Sequence, residues 1–229
     1  MKKMTVFMAV MLALLCCSSC GGQKQAVQET NAAENAENAA DMTQALDFPY
    51  AAYIGHDRQQ AFESLKGEGE FQASDLKGVY FLDHPVSILG REVEAALEAG
   101  DYEEFSDAVY RTGYRLVIQD PTQEDFEWLK DIEKALTEKY GEKTTYPGLS
   151  QTFSAADSLE KLKELQQVSD TWAFSDDPVL EVDFEAACMT DTEGAEVMTV
   201  LVACQISTTY LRNGGQEQVR AFYEKAQNK

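Results

Sequence analysis

Residues 179–210 constrain the fold more than any other stretch. Leu180, Val182, Phe184, Ala186 and Cys188 alternate with Glu181, Asp183, Glu185 and Ala187. Period two puts the two sets on opposite sides of an extended strand, so this strand has one buried and one wet face. Residues 196–210 are apolar on both alternations, Met198, Val200, Val202 and Cys204 against Val197, Leu201 and Ala203. That pattern suits a central strand covered on both sides. Asp191-Thr-Glu-Gly-Ala195 forms the loop between them, and the pair reads as an antiparallel hairpin. With Thr190 opposite Glu196, Cys188 faces Met198 and Cys204 faces Val182. The two sulfurs then lie about six residues, roughly 20 Å, apart, whereas a disulfide needs Cα atoms within about 7 Å. No Cys188–Cys204 bridge is expected. Both cysteines read as reduced core residues, Cys204 the more buried.

Helices are punctuated elsewhere. Asp57 with Gln60 opens a short helix through Phe62 and Leu65 that Gly67 closes. The longest spans 121–140, with Asp120 as cap, Pro121 in the first turn, Gly141 as stop, and an apolar stripe of Phe126, Leu129, Ile132, Leu136 and Tyr140. A third, 155–168, has Ser154 and Asp157 as caps and Leu159, Leu162, Leu165 and Val168 as its stripe. A fourth carries Val219, Phe222, Tyr223 and Ala226 on one side. Each stripe reads as core packing rather than a binding groove.

Residues 86–118 admit two readings. As strands, Val93, Ala95 and Leu97 point inward on one, and Ala108, Tyr110, Thr112, Tyr114, Leu116 and Ile118 on the next. As helices, Gly100 and Gly113 become stops and Asp101 with Glu104 a capping box. The β-rich alternation of Ser106 to Gln119 favours strands. Either way the expected fold class is α+β, an antiparallel sheet with helices packed on one face. In the helical reading, Leu97-Glu-Ala-Gly-Asp-Tyr-Glu-Glu-Phe105 resembles the opening of nuclear-transport-factor-2-like domains, which implies helices first and a curved sheet after. In the strand reading, together with the helix start at Ile54-Gly-His-Asp57, the order is similar to small periplasmic lipoprotein domains of the BamE and β-lactamase-inhibitor type.

The N-terminal region reads differently. Lys2 and Lys3 precede an uncharged run from Val6 to Leu15, too short to span a hydrocarbon core of about 30 Å. Ser18, Ser19 and Cys20 follow, and the stretch resembles a lipoprotein signal peptide ending in a lipobox. That resemblance implies cleavage after residue 19, a diacylglyceryl thioether on Cys20, and a domain held at a membrane in the cell envelope, facing the periplasm or exterior. It departs from the pattern at Cys17, where leucine is usual, which leaves Cys17 a weaker alternative. Residues 20–47 then form an acylated cysteine and a low-complexity tether. Ala, Asn, Gln and Glu dominate it and it contains no aromatic, so it cannot offset its ordering entropy. Its reach as a coil is roughly 28 Å. Residues 48–229 are one globular domain.

Charge excludes some partners. The chain has 19 basic and 40 acidic residues. Removing residues 1–19 takes away two lysines and no acid, leaving a net charge of −23. Such a surface repels phosphate backbones and anionic headgroups, so no nucleic acid is expected, and the acyl chains are the whole anchor.

No reactive constellation emerges. His56 and His84 have no second ligand at metal spacing, and no metal or cofactor is expected. Asp191-Thr-Glu-Gly194 and Asp176-Asp177 lack the alternating oxygens of a calcium loop. Ser158-Leu-Glu-Lys161 matches the S-x-x-K of penicillin-binding proteins, but Lys143-Thr-Thr145 lies upstream where that family has its third motif downstream. Gly67-Glu-Gly69 is a lone G-x-G followed by acids. Forty acids offer countless carboxylate pairs, so only a buried pair in a cleft would speak for glycoside hydrolysis. The leading reading is a non-catalytic binding or assembly module, presenting a sheet face or edge to another envelope protein. An acid-based envelope glycan or cell-wall hydrolase is the alternative, and a small-ligand pocket domain the third.

Overall fold

The computed structural model describes residues 46–144, 151–174 and 179–228. After a 3-10 turn at Pro49–Tyr53 come α1 (Arg58–Leu65), β1 (Phe71–Ala73), β2 (Val79–Leu82), β3 (Val86–Ile88), β4 (Arg91–Tyr102) and β5 (Phe105–Gln119). There follow α2 (Gln123–Tyr140), a 3-10 turn at Phe153–Ala155, α3 (Leu159–Leu165), β6 (Gln167–Ala173), β7 (Leu180–Thr190), β8 (Glu196–Ile206), α4 (Thr208–Arg212) and α5 (Gln216–Gln227). The fold is α+β. Its antiparallel sheet runs β1-β2-β4-β5-β8-β7-β6, with β3 paired to the free stretch of β4. Among the described residues no helix is long and apolar enough to cross a membrane.

Residues 86–118 are strands, and the helical reading falls. The β7–β8 hairpin has the register its loop dictates, Thr190 opposite Glu196, Cys188 opposite Met198 and Cys204 opposite Val182. No disulfide joins the two cysteines, and Cys204 is the more buried. Four expectations need correction. The inward row of β5 does not run unbroken from Ala108 to Ile118. A bulge opposite Glu98 and Ala99 lets Arg111 pair with Glu98 and Val109 with Ala99, so Tyr110 leaves the row. The helix expected over 155–168 spans only 159–165, because Gln166 takes φ of 66° and turns the chain into β6. Strand β8 ends at Ile206, where Ser207 caps α4. The cap of α2 is Thr122 rather than Asp120, in a reciprocal box with Asp125.

One sheet face carries Val93, Leu97, Tyr114, Met198, Val200, Val202, Val182 and Phe184, and α2 packs on it through Phe126, Leu129, Ile132 and Leu136. Phe153 bridges Phe126 and Phe184. The sheet is pinched toward its other face at Gly113. A Cβ there would fall 2.3 Å from the Val202 carbonyl oxygen and 2.7 Å from the Ala203 Cβ. Cross-strand Cβ atoms normally keep about 4.5–5.5 Å, so only glycine permits this approach.

Both ends of the described chain are tied in. Leu46 is buried, the Tyr114 hydroxyl donates to the Asp47 carbonyl, Lys139 pairs with Asp47, and Phe48 stacks on Tyr114. At the other end, α5 lays Tyr223 against Tyr102 and Phe105. The outer edge of β6 does not stay bare. Thr144 N–H donates to the Thr171 carbonyl and Ser169 N–H to the Gln151 carbonyl. Lys143 reaches over this edge to Asp170 at 2.7 Å and also pairs with Glu133 of α2.

Candidate functional site

The second sheet face is built from the residues that alternate with the core row. In β4, β5, β8 and β7 a single rung reads Glu98, Arg111, Gln205 and Glu181, each in direct register with the next. Side chains so placed are near neighbours, and here each bonds its neighbour. The Tyr110 hydroxyl donates to Glu98 Oε2 at 2.9 Å, and Arg111 Nη1 to Glu98 Oε1 at 3.3 Å. Arg111 Nε donates to Gln205 Oε1 at 2.6 Å, and Gln205 Nε2 to Glu181 Oε1 at 3.1 Å. Glu181 also accepts from Ser207 Oγ at 2.7 Å and from Thr208 N–H at 3.2 Å. The result is one hydrogen-bonded chain across four strands, ending on the first turn of α4. The order follows from complementarity: a bulge-displaced tyrosine, an acid, a cation, an amide that can both accept and donate, and an acid.

This chain is buried. Glu98 is 6%, Gln205 5% and Glu181 2% exposed. The alternation in β7 had marked Glu181 and Asp183 as a wet face, and that expectation is overturned. Burial of charge is costly unless the charged atoms are hydrogen-bonded, and here both oxygens of Glu181 and of Glu98 accept at least one bond. Burial tends to lower the Arg111 guanidinium, but Glu98 opposite it and Asp183 on the same face hold it above its ordinary value.

Further rungs follow on the same face. The next reads Ala96, Gly113, Ala203, Asp183 and Thr171, and the one after Glu94, Arg115, Leu201, Glu185 and Ser169. Glu94 is exposed, and Arg115, Leu201, Glu185 and Ser169 are half-buried. The Arg115 guanidinium sits 5.8 Å from the centre of the Phe81 ring. Asp183 is buried and accepts only long bonds, from Ser169 Oγ at 3.3 Å and Thr171 Oγ1 at 3.4 Å. Burial first, then the adjacent Glu185, push its carboxyl up to about 7 against the pull of Arg111.

The residues singled out in the sequence lie elsewhere. Cys20, the signal segment and residues 20–45 of the tether fall outside the described residues, as do Asp176 and Asp177. Ser158 caps α3 by accepting from Lys161 N–H, and Lys161 pairs with Glu164, so the S-x-x-K spacing is a helix start. His84 is exposed beside Asp83, and His56 is half-buried at the entry to α1. Cys188 lies half-buried at the far end of β7, where burial pushes its thiol up to about 11. Between α2 and the sheet, a cavity lined by Ile88, Val93, Leu116, Trp128 and Val200 has a volume of about 10 Å³. That is room for about one water. Glu98, Arg111, Gln205 and Ser207 were missed, because each looks like an isolated polar residue until register lines them up. Comparison of the chain with protein-family models, with curated proteins and with solved structures finds no match.

Proposed function

We propose that this chain is a lipid-anchored extracytoplasmic binding module. Acylated Cys20 and the tether that follows hold it at a membrane, and the second face of its sheet meets another protein of the envelope. One observation carries this reading: that face holds its charges in place with its own hydrogen bonds, while the half-buried Arg115, Leu201 and Glu185 beside them stay partly open to solvent. Side chains fixed in advance lose little freedom on binding, which favours recognition. The partner that fits an acidic surface of this kind is basic.

The hydrolase reading draws less support. Paired glycosidase carboxyls must both reach a sugar across the scissile bond, whereas Asp183 is buried and accepts from Ser169 and Thr171 within the sheet. A cavity with room for one water offers little to the pocket-domain reading.

Two measurements test the proposal. Cys20→Ala should leave the domain folded and release it from the membrane fraction; a variant that still sediments after a salt wash overturns the anchor. Photo-crosslinkers placed at Thr199 and Leu201 of the second face should give a discrete adduct in intact cells, and crosslinkers at Lys130 and Lys134 on the outside of α2 should not. Equal labelling from both sets removes the case for this face.

A further inference from the structure

Asparagine precedes glycine at one place in the chain, Asn213-Gly214, whereas Asn31, Asn35 and Asn38 precede alanine and Asn228 precedes lysine. The pair forms the turn between α4 and α5. Asn213 caps the C-terminal end of α4, Gly214 has a φ of 96°, and Gly215 caps the start of α5. Asn213 and Gly214 are exposed, and a Cβ added at Gly214 would meet nothing within 4 Å. The Asn213 carboxamide takes no hydrogen bond among the described residues. Its own N–H donates to the Thr209 carbonyl at 3.0 Å, but the next one, that of Gly214, reaches the Leu211 carbonyl only at 3.3 Å. The same Leu211 carbonyl accepts from Gln216 Nε2 at 2.8 Å.

We propose that Asn213 is a self-modification site, at which the side-chain amide is lost and the link between α4 and α5 is rebuilt as aspartate or isoaspartate. The Gly214 nitrogen attacks Cγ of Asn213 and closes a five-membered succinimide. The amide leaves as ammonia, taking the proton of the attacking nitrogen. Water then opens the ring at either carbonyl. One water is consumed and one ammonia released, and no oxidant or reductant is needed. Attacker and target sit on adjacent residues, so no association entropy opposes the step. What ordinarily opposes it is the following side chain and a backbone locked in secondary structure. Gly214 has no side chain and lies between two helices. Turning its nitrogen toward Cγ rotates ψ of Asn213 away from 16° and costs the 3.3 Å bond to Leu211, whose oxygen keeps Gln216. Glycine then takes whatever φ the ring requires.

Isoaspartate carries the main chain through Cβ and so lengthens it by one atom. The turn has no slack to take this up. Gly215 is buried, its N–H donates to the Tyr210 carbonyl at 2.9 Å, and a Cβ there would collide with the Tyr210 ring. Helix α5 is seated by the buried Val219, Tyr223 and Ala226, by Phe222 and Ala226 against Gly55, and by the Arg220–Glu104 ion pair. Helix α4 has no buried residue. The extra atom is therefore absorbed in α4, whose last turn loses the bonds from Asn213 and Gly215 to Thr209 and Tyr210 while α5 stays in place. Aspartate, the other product, adds only a negative charge beside the last carbonyls of α4.

Peptide mapping by mass spectrometry of the purified protein, tether included, tests this on fresh material and after ageing at mildly alkaline pH. The peptide bearing Asn213 should convert from amide to acid about ten-fold or more faster than those bearing Asn35 or Asn228, with isoaspartate detected by enzymatic methylation. A rate no higher than that at Asn35 overturns the proposal. Gly214→Ala should remove the excess rate. Because the φ at Gly214 disfavours any other residue, that comparison is repeated in urea, where wild type must still outpace the variant. Equal rates there sink the mechanism. Hydrogen exchange on aged protein should then show protection lost in residues 208–213 and kept in 216–227. Asn213→Asp, which carries the charge without the extra atom, should not reproduce that loss. Protection lost from α5 as well, or the same loss in Asn213→Asp, overturns the assignment of the extra atom to α4.

Discussion

The two faces of one sheet are held by different physics. On the α2 side, Phe126, Leu129, Ile132 and Leu136 meet Val93, Val200, Val202 and Phe184 by area and volume. Such contacts have no direction, and a neighbour can shift to fill a small loss. On the opposite side, order comes from donors aimed at acceptors, Arg111 to Glu98 and Gln205, Gln205 to Glu181. There, one deletion strands its partners. The apolar face carries most of the stability, and the polar face is where one altered group or proton changes the arrangement.

Substitutions on each face sharpen that contrast. The largest loss is expected from Phe126→Ala, fully buried on the sheet-facing side of α2, at about 3–5 kcal/mol in denaturant unfolding. A cost below that of any polar-face variant would break the comparison. Next is Arg111→Met, whose guanidinium side chain is 19% exposed. It strands Glu98 and the Gln205 oxygen, and about 2–3 kcal/mol is expected. Adding Glu98→Gln should recover part of it, and a double mutant no better than the single would mean that the two are not coupled.

Asp183→Asn should act with the opposite sign. Because the Asp183 carboxyl is pushed up to about 7, the native chain keeps a proton there that the unfolded chain has released. The stability tied to that proton is fully present below the ordinary carboxylate range, declines as pH rises, and is gone above about 7. Asparagine does not titrate, so the variant should match wild type in acid and exceed it, on the order of 1 kcal/mol, at about pH 8. A constant difference across pH would remove Asp183 as the titrating group.

The smallest effect belongs to the cysteines. Cys204→Ser puts a hydroxyl into a fully buried site opposite Thr112, whose own hydroxyl is buried without a hydrogen bond. The two can bond, so a cost under about 1 kcal/mol is expected. Two reactive thiols should be counted in the denatured domain besides Cys20, and none would mean a bridge.

What could be read in advance follows the same division. The register of the β7–β8 hairpin was legible to the residue, since period two and a five-residue loop leave one register that buries the apolar row. The stripe of α2 was legible for the same reason. Strand β6 was not: Val168 falls three residues after Leu165 and continues the helical spacing, and the break comes from a positive φ at Gln166, a residue type that rarely adopts one. The polar rung was hidden more deeply. Glu98 and Arg111 are paired across a bulge, Gln205 lies far along the chain, and Glu181 looks like an ordinary solvated position until its partners are placed.

The way the chain enters the domain has a mechanical consequence. Residues 46–48 are bound to Tyr114 in the middle of the sheet and to Lys139 in the last turn of α2. Tension arriving along the preceding chain is thus delivered to the centre of the molecule, where several contacts must yield together. It does not fall on an outer strand that could be unzipped one bond at a time. The entry point acts as a strain relief, so the domain can be tugged from its N-terminal side while the face bearing Arg115 and Leu201 keeps its shape.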